Sequence, residues 1–385
     1  MKVSDQLLNR ITAGLVAVII GFSSSIALIY QVVITLGGTP DLVASWILML
    51  GLVMGTTSIG LSYYYKVPVL IAWSTTGAAL LISSAQGYNL NEAIGAFMLS
   101  ALLVFLSGVT GWFEKIMNRI PSELACAMLA GVLVTFGIDV FNFMNDMPLV
   151  IGLMVVMYFI GKRFFARFAM LSVLIIGVLL AWQMGHIDTS ALHWKMSEFA
   201  YIEPAFHLQA CISIGLPLYI VTMTSQNLPG IAVLKAHKYK APISASLNVT
   251  GFVNMLSAPF GAYSINLAAI TAAICMSDEA DKNHDKRYWA SIAAGVFYIL
   301  MALCAATLVG LVASLPQALI LALAGIALFG TIANSLQQAL SSTEYTEAAI
   351  VTFLVTASNL TLLSIGSAFW GIIAGVLTLI ITRKD

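Results

Sequence analysis

The chain has 385 residues, of which 60% are hydrophobic and 9% charged, and its formal net charge at pH 7 is zero. A soluble domain carries about 25% charged residues, so this composition excludes a soluble enzyme, a nucleic-acid-binding protein and a disordered protein. A membrane-spanning helix needs about 20 apolar residues. The chain therefore has room for many spans in a lipid bilayer and for no sizeable soluble domain.

The amino terminus, MKVSDQLLNR, leads directly into a long apolar stretch without a small-residue cleavage site. This pattern predicts a retained first span rather than a signal peptide. The four cysteines lie in apolar stretches without CxxC spacing. They are expected to be small buried side chains, with no disulfide framework, and we expect no metal site and no cofactor.

Apolar stretches predict fourteen spans. In chain order they are 11–36, 42–63, 68–86, 93–112, 121–138, 147–161, 168–185, 208–233, 243–256, 258–276, 288–313, 315–334, 345–358 and 362–382. With the amino terminus inside, 16 of the 17 Lys and Arg residues fall in cytoplasmic segments, and Lys195 is the exception. Because cytoplasmic loops are enriched in Lys and Arg, we expect a multi-pass protein of the inner (cytoplasmic) membrane with both termini in the cytoplasm.

Two pairs of similar segments indicate an internal repeat. AWSTTGAA (72–79) in the third span matches AYSINLAA (262–269) in the tenth, 190 residues later, and Ile120-Pro121 matches Leu315-Pro316, 195 residues later. Coincidence is the alternative for either pair alone, but the similar offsets favour a repeat. Seven spans separate the copies, which predicts an all-α polytopic fold of two inverted seven-span repeats with the substrate site between broken helices at mid-membrane.

The third and tenth spans are the predicted broken ones. Pro68 with β-branched neighbours favours extended backbone, and Ser74 then reads as the N-cap of a half-helix. Pro259 and Ser264 repeat this plan in the tenth span. Helix N-termini carry partial positive charge and free N–H groups, so two of them meeting at mid-depth would bind an anion without Lys or Arg. Ordinary capping or small-residue packing is the alternative.

Further polar and aromatic residues complete the candidate site. Trp73 and Tyr263 directly precede the two predicted caps and could hold a flat ring, or serve as interhelical filler. The run TMTSQNLPG at the end of the eighth span is the most polar intramembrane segment, and Pro229-Gly230 predicts a kink or break there. The candidate substrate-binding residues are Trp73, Ser74, Thr75, Tyr263, Ser264, Asn266, Gln226, Asn227 and Ser24.

Four stretches in order, PVLIAWSTTGAALL, TMTSQNLPGIA, SAPFGAYSINLAAITAAIC and LVTASNLTLLSIGSAFWGIIAG, resemble the BenE family of benzoate transporters. The resemblance covers nearly the whole chain. It implies benzoate–proton symport and a fold similar to nucleobase permeases and sulfate-type anion transporters. That fold has a substrate-carrying core, here 1–118 and 206–313, and a gate, here 119–190 and 314–385, which implies a homodimer formed through the gate spans.

One departure from those relatives bears on the substrate. The nucleobase permeases use a glutamate in the eighth span, where this chain has Gln226 and Asn227. A fixed carboxylate would repel an anion, so its absence fits an aromatic carboxylate. The proton carrier is left unidentified, and the substrate itself is a candidate. The alternatives are an uncoupled anion channel or exchanger, or a nucleobase-type permease. A membrane enzyme is not expected, because mid-span clusters of Asp, His or Glu are missing.

Overall fold

The computed structural model describes residues 3–111, 121–165, 169–186, 196–278, 280–358, 360, 362 and 367–382. The first half forms, in chain order, α1 (Val3–Thr35), α2 (Pro40–Tyr65), β1 (Ile71–Trp73), α3 (Thr75–Ser84), α4 (Leu90–Thr110), α5 (Ser122–Asn142), α6 (Pro148–Phe164) and α7 (Ala169–Gln183). The second half forms α8 (208–236), α9 (Ile243–Ser257), β2 (Ile265–Leu267), α10 (Ile270–Cys275), α11 (Tyr288–Leu303), α12 (Ala305–Ala313), α13 (Gln317–Ala339), α14 (Thr346–Ala357) and α15 (Ser367–Thr382).

Several of these helices can cross a bilayer. In the described ranges, six are long and apolar enough, namely α1, α2, α4, α5, α8 and α13, and α11 with α12 makes a seventh across a 66° bend. The protein is therefore a mostly helical, multi-pass membrane protein. The bend interrupts what the sequence predicts as one span, 288–313. The Ser197 hydroxyl accepts a hydrogen bond from Ala306 N–H at 2.8 Å just after the bend, which satisfies a backbone group that the helix ladder no longer reaches.

The third and tenth spans are discontinuous, as the sequence predicts. Each has a short extended segment followed by a short helix, and the two extended segments pair as an antiparallel ladder in which Ala72 lies opposite Asn266. Hydroxyl groups of α2 satisfy the other edge of β1, since Ser58 Oγ accepts from Ile71 N–H at 2.9 Å and Ser62 Oγ donates to Val69 O at 2.7 Å. Extended backbone is stable at membrane depth only with such internal partners.

The helices that surround this ladder pack in reciprocal pairs. Helix α2 packs on α11 and α4 on α9, and α5 packs on α13. Helix α1 contacts α10, and likewise α8 contacts α3, so each broken span lies against a long helix of the other half. This arrangement places α1 and α8 on either side of the β1–β2 ladder.

A polar cluster at the far end of α10 closes the same bundle; we call it the Arg287 cluster. The buried Arg287 guanidinium donates to Met276 O at 2.6 Å and to Asp281 O at 2.7 Å, and it pairs with Asp278. Arg10 of α1 reaches the buried Asp281 carboxylate at 2.5 Å. Because Met276 follows the last residue of α10, Arg287 holds the carboxyl end of that helix and Arg10 ties it to α1.

Tyr239 adds a third connection to this end of the bundle and carries a testable prediction. Its hydroxyl donates to His284 O at 2.8 Å, and burial raises its pKa from 10.0 to about 12, although nearby Arg287 lowers it. The neutral phenol therefore stabilises the fold fully below pH 10, and this contribution is lost as the pH rises through about 12. Tyr239→Phe should cost about 1 kcal/mol at pH 7 through the lost hydrogen bond.

Tyr239→Phe should also make the thermal stability of the protein less sensitive to alkaline pH. Melting temperatures of both proteins in detergent, measured from pH 7 to pH 11, check this expectation. The difference between them should narrow above pH 10, because only the parent protein still loses stability at Tyr239. A difference in melting temperature that stays constant from pH 7 to pH 11 would contradict the burial of the Tyr239 hydroxyl.

Candidate functional site

The candidate site lies where α3 begins inside the membrane. Ser74 is the N-cap of α3, because its Oγ accepts a hydrogen bond from Gly77 N–H at 2.9 Å and its backbone is extended. The capping role that the sequence predicts for Ser74 is confirmed. The side chain satisfies one of the first N–H groups, and the helix start keeps its partial positive charge.

Hydroxyl and amide groups from the two flanking helices surround this first turn. Ser25 of α1 shares a hydrogen bond with Thr75 through their hydroxyl oxygens at 2.8 Å, and Gln226 of α8 donates from Nε2 to Thr76 Oγ1 at 3.1 Å. Thr75 and Gln226 are both partly exposed, whereas Thr76 is buried. The start of α3 is thus lined with neutral groups that donate and accept hydrogen bonds.

Ser264 reaches the same place from the other half of the chain, but it does not cap a helix. Its carbonyl accepts from Ser74 N–H at 3.1 Å, and its hydroxyl pairs with Thr222 at 2.8 Å. Helix α10 begins only at Ile270, and Ala269 precedes it without a side-chain cap. The predicted cap at Ser264 is wrong because pairing with β1 keeps Ile265–Leu267 extended, which moves the helix start further along the chain.

The corresponding starts of α3 and α10, at Thr75 and Ile270, are 195 residues apart. The starts of α5 and α13, at Ser122 and Gln317, have the same spacing. The predicted offset of 190 for the broken spans is therefore wrong for this segment, and 195 holds for both pairs. As a result Tyr263 is not the counterpart of Trp73: Trp73 ends β1, whereas Tyr263 comes before β2.

Both aromatic residues are buried, in different surroundings. The Tyr263 hydroxyl donates to Ser74 O at 3.0 Å, and its ring packs against both Trp46 and Phe97, which also contact each other. Tyr263 thus supports the start of α3 from behind. Trp73 meets Phe22 of α1 edge to face, with 4.7 Å between the ring centroids, so its indole belongs to an aromatic wall on the α1 side.

Two of the predicted amide side chains bind the protein backbone in this conformation. Asn227 is fully buried; its Oδ1 accepts from Leu267 N–H at 3.0 Å and its Nδ2 donates to Met223 Sδ at 3.3 Å. Asn266 is also fully buried, and with its amide rotated its oxygen lies 3.2 Å from Ser74 N. Both side chains therefore hold the β1–β2 ladder in position. The side chain of Ser24 lies outside the described residues, whereas Ser25 makes the contact with α3 described above.

Helix α8 widens where its polar run faces the site. Residues Met223–Asn227 form a π-helical turn, after a first π-helical segment at Cys211–Gly215. Such bulges are frequent at functional sites. Of the predicted kink or break at Pro229-Gly230, a break is not found, since α8 continues as Leu228–Ala236. The irregularity lies one turn earlier because Pro229 has no N–H to donate to the preceding turn.

Sequence reasoning missed Ser25, Thr76 and Thr222, which contact the predicted residues directly. Their signal was present in the polar runs around Ser25 and Thr222, but choosing among adjacent hydroxyls needs the helix orientation. In the ranges that the structure describes, no three His, Cys, Asp or Glu side chains come together as a metal site requires.

Comparison with known proteins identifies the family. The family model described as "Benzoate membrane transport protein" matches residues 4–381. The chain belongs to the BenE family. It is 45% identical to the inner membrane protein YdcO of Escherichia coli K12 over 97% of this chain and 96% of that protein. It is 36% identical to the benzoate membrane transport protein of Acinetobacter baylyi over 99% of this chain and 96% of that protein.

Solved structures show which fold this BenE-family chain shares. The transmembrane domain of the cyanobacterial bicarbonate transporter BicA matches with a TM-score of 0.64 at 13% identity, over 99% of this chain and 98% of that one. The structure of SLC26A9 matches with a TM-score of 0.65 at 14% identity, over 99% of this chain and 66% of that one. The chain therefore shares the fold of these proteins. Its membership of the BenE family makes it a membrane transporter and not an enzyme.

Proposed function

We propose that this chain is a secondary transporter that carries benzoate, or a closely related aromatic carboxylate, with protons across the inner membrane. The benzoate transport protein among its relatives supports the substrate class, and the E. coli relative supports the membrane. The observation that carries the proposal is that α3 begins in the middle of the third span. There a capped helix N-terminus is lined by Thr75, Gln226 and Ser25.

The chemistry of this site suits a carboxylate. The helix N-terminus supplies about half a positive charge and N–H donors, and the neutral hydroxyl and amide groups add hydrogen bonds. In the described part of the chain, the buried charged side chains are Asp281 and Arg287, and both belong to the Arg287 cluster at the other end of α10. A substrate carboxylate at α3 would thus meet no fixed negative charge from these groups.

The aromatic ring of the substrate would rest on the wall beside Ser74. Trp73 directly precedes the cap, and Phe22 lies against both Trp73 and Tyr298, with ring centroids 4.7 and 6.1 Å apart. All three rings are buried in this conformation, and we propose that their apolar faces and edges contact the flat ligand when the core moves against the gate. Because no buried acid lies among the described site residues, we propose that the substrate binds as the anion and that its own carboxylate then takes up the transported proton.

We further propose fourteen spans in two inverted seven-span repeats. The shared spacing of 195 residues between the starts of α3 and α10 and of α5 and α13 supports this count, as does the reciprocal packing of α1 on α10 and α8 on α3. The core, 1–118 and 206–313, would move against the gate, 119–190 and 314–385, in an alternating-access cycle. The gate spans would form a homodimer, and both termini would lie in the cytoplasm.

Uptake into proteoliposomes tests this function. With an acidic exterior, labelled benzoate should accumulate faster in proteoliposomes than in protein-free liposomes, and a protonophore should abolish the excess. The protein-free control is essential because neutral benzoic acid crosses bilayers unaided. Uptake equal to that control under either gradient polarity would contradict the proposal, and protein-dependent flux that ignores the proton gradient would indicate a channel or exchanger.

Labelled uric acid completes the test, because a uric acid transporter of E. coli is 23% identical to this chain over 89% of it. We expect no protein-dependent uptake of uric acid and no competition by it against benzoate. Uric acid uptake that exceeds benzoate uptake would favour a nucleobase-type permease instead.

A further inference from the structure

A cavity of about 290 Å³, lined by none of the candidate site residues, lies among helices α4, α5, α8 and α15. Its walls include Leu103 and Leu106 of α4, Ile220 of α8, and Ile372 and Ile373 of α15. Under the proposed division of the fold, α4 and α8 belong to the core and α5 and α15 to the gate. The cavity therefore has walls from both parts.

The lining is apolar. Its polar members among the described residues are Ser107 and Tyr219, whose hydroxyl oxygens share a hydrogen bond of 2.7 Å, and the Ser107 hydroxyl is also 2.7 Å from Leu103 O. These groups are committed to one another, so the cavity offers little to a charged or strongly polar ligand. A carboxylate would lose its hydration there without adequate compensation. Water is disfavoured for the same reason, because apolar cavities stay dry.

Three of the four helices around the cavity, α4, α5 and α8, are long and apolar enough to span a membrane, and the lining residue Leu106 of α4 is 42% exposed. Bilayer hydrocarbon is therefore the adjacent medium. An unfilled void of this size would leave its lining without dispersion contacts. The volume is near the lower end of ligand pockets, about 300 Å³, which suits one hydrocarbon chain rather than a whole lipid.

We propose that this cavity is a binding site for a single lipid acyl chain, inserted from the bilayer between α4 and α8 on one side and α15 on the other. The acyl chain supplies the contacts that side chains do not make, and it touches both the core and the gate. Binding of the acyl chain does not depend on the proposed substrate; only an effect on transport rests on the proposed function.

Photolabelling tests the site. The full-length protein is reconstituted with phosphatidylethanolamine that carries a diazirine in the middle of one acyl chain, illuminated, and mapped by peptide mass spectrometry. We expect labelling concentrated on 103–107, 216–220 and 368–373. Ile373→Trp should lower this labelling about tenfold. An acyl chain would overpack a cavity that the indole already fills, and a cost of roughly 1.4 kcal/mol corresponds to a tenfold change in binding.

Leu300→Trp is the matched control, since Leu300 is 51% exposed on the core helix α11 and is not among the cavity residues. It adds the same side chain to the outer surface and should leave the labelling unchanged. Leu103→Phe provides a second filling variant if Ile373→Trp does not fold. Uniform labelling of the outer surface would overturn the proposal, as would loss of cavity labelling with excess benzoate, which would assign the cavity to the substrate. A benzoate uptake assay run in parallel distinguishes failure of this site from failure of the proposed function.

Discussion

Gln226→Glu should weaken benzoate binding about 30- to 1000-fold at pH 7, because two unit charges about 4–8 Å apart repel by roughly 2–4 kcal/mol at an effective dielectric constant near 20. Gln226 belongs to α8 and contacts the start of α3, where its Nε2 donates to Thr76 Oγ1 at 3.1 Å. The substitution keeps the size of the side chain and adds one negative charge at the proposed carboxylate position. Equilibrium binding of labelled benzoate to the purified protein measures the effect.

The fold should tolerate this variant, since a carboxylate near a helix N-terminus is favourable by about 0.3–1 kcal/mol. Gln226 is also partly exposed, so its charge is not placed in a closed apolar core. Gln226→Met is the matched control, because it removes the same hydrogen bond without adding a charge. It should weaken binding only about 5- to 10-fold, the equivalent of about 1 kcal/mol. Equal affinities of the Glu and Met variants would show that the carboxylate binds elsewhere.

The break in the third span is readable from the sequence because local chemistry determines it. Pro68 and its β-branched neighbours disfavour helix, and Ser74 supplies the acceptor that a helix start requires. The structure follows this pattern with β1 and then α3. Family membership was equally accessible, because the resemblance rests on residues in order along the chain and not on their spatial arrangement.

The register of the tenth span was not readable in the same way. AYSINLAA aligns with AWSTTGAA without a gap and is identical to it at four of eight positions, but strand pairing with β1 decides where its helix begins. The hydrogen bonds of Leu267 with Asn227 and of Ser264 with Ser74 stabilise extended backbone past the serine that resembled a cap. Long-range pairing of this kind overrides a local capping signal, and a single sequence contains no direct record of it.

The roles of the polar and aromatic residues were likewise only partly predictable from the sequence. Polarity at membrane depth marked Gln226 and Asn227 as important, and its position directly before a predicted cap marked the aromatic Tyr263. Only burial separates them: Gln226 is partly exposed, whereas Asn227 and Tyr263 are fully buried and bind backbone groups of the broken spans. The candidate site thus has an accessible layer at α3 and a supporting layer behind it; the sequence predicted several residues of each layer, but not which layer each belongs to.

The supporting layer is the basis of the second large effect, at Gly261. This glycine has a φ of +97° and ends the 3₁₀ turn Ala258–Phe260 that leads into β2. An added Cβ would overlap the indole of Trp46, which is fully buried and packs against Tyr263. Gly261→Ala should therefore destabilise the protein by about 3 kcal/mol or more, from the left-handed backbone and from overpacking together. Thermal unfolding in detergent, followed by tryptophan fluorescence, measures the loss.

The same variant should also weaken benzoate binding, because displacement of Trp46 moves Tyr263, whose hydroxyl bonds to Ser74 O at the start of α3. Gly60→Ala is the matched control: Gly60 is exposed in α2, and nothing lies within 4 Å of an added Cβ. It should leave stability unchanged or raise it by up to about 1 kcal/mol, since alanine favours helix over glycine. If Gly261→Ala unfolds at the parent temperature and binds benzoate normally, Trp46 and Tyr263 do not support the site as the structure indicates.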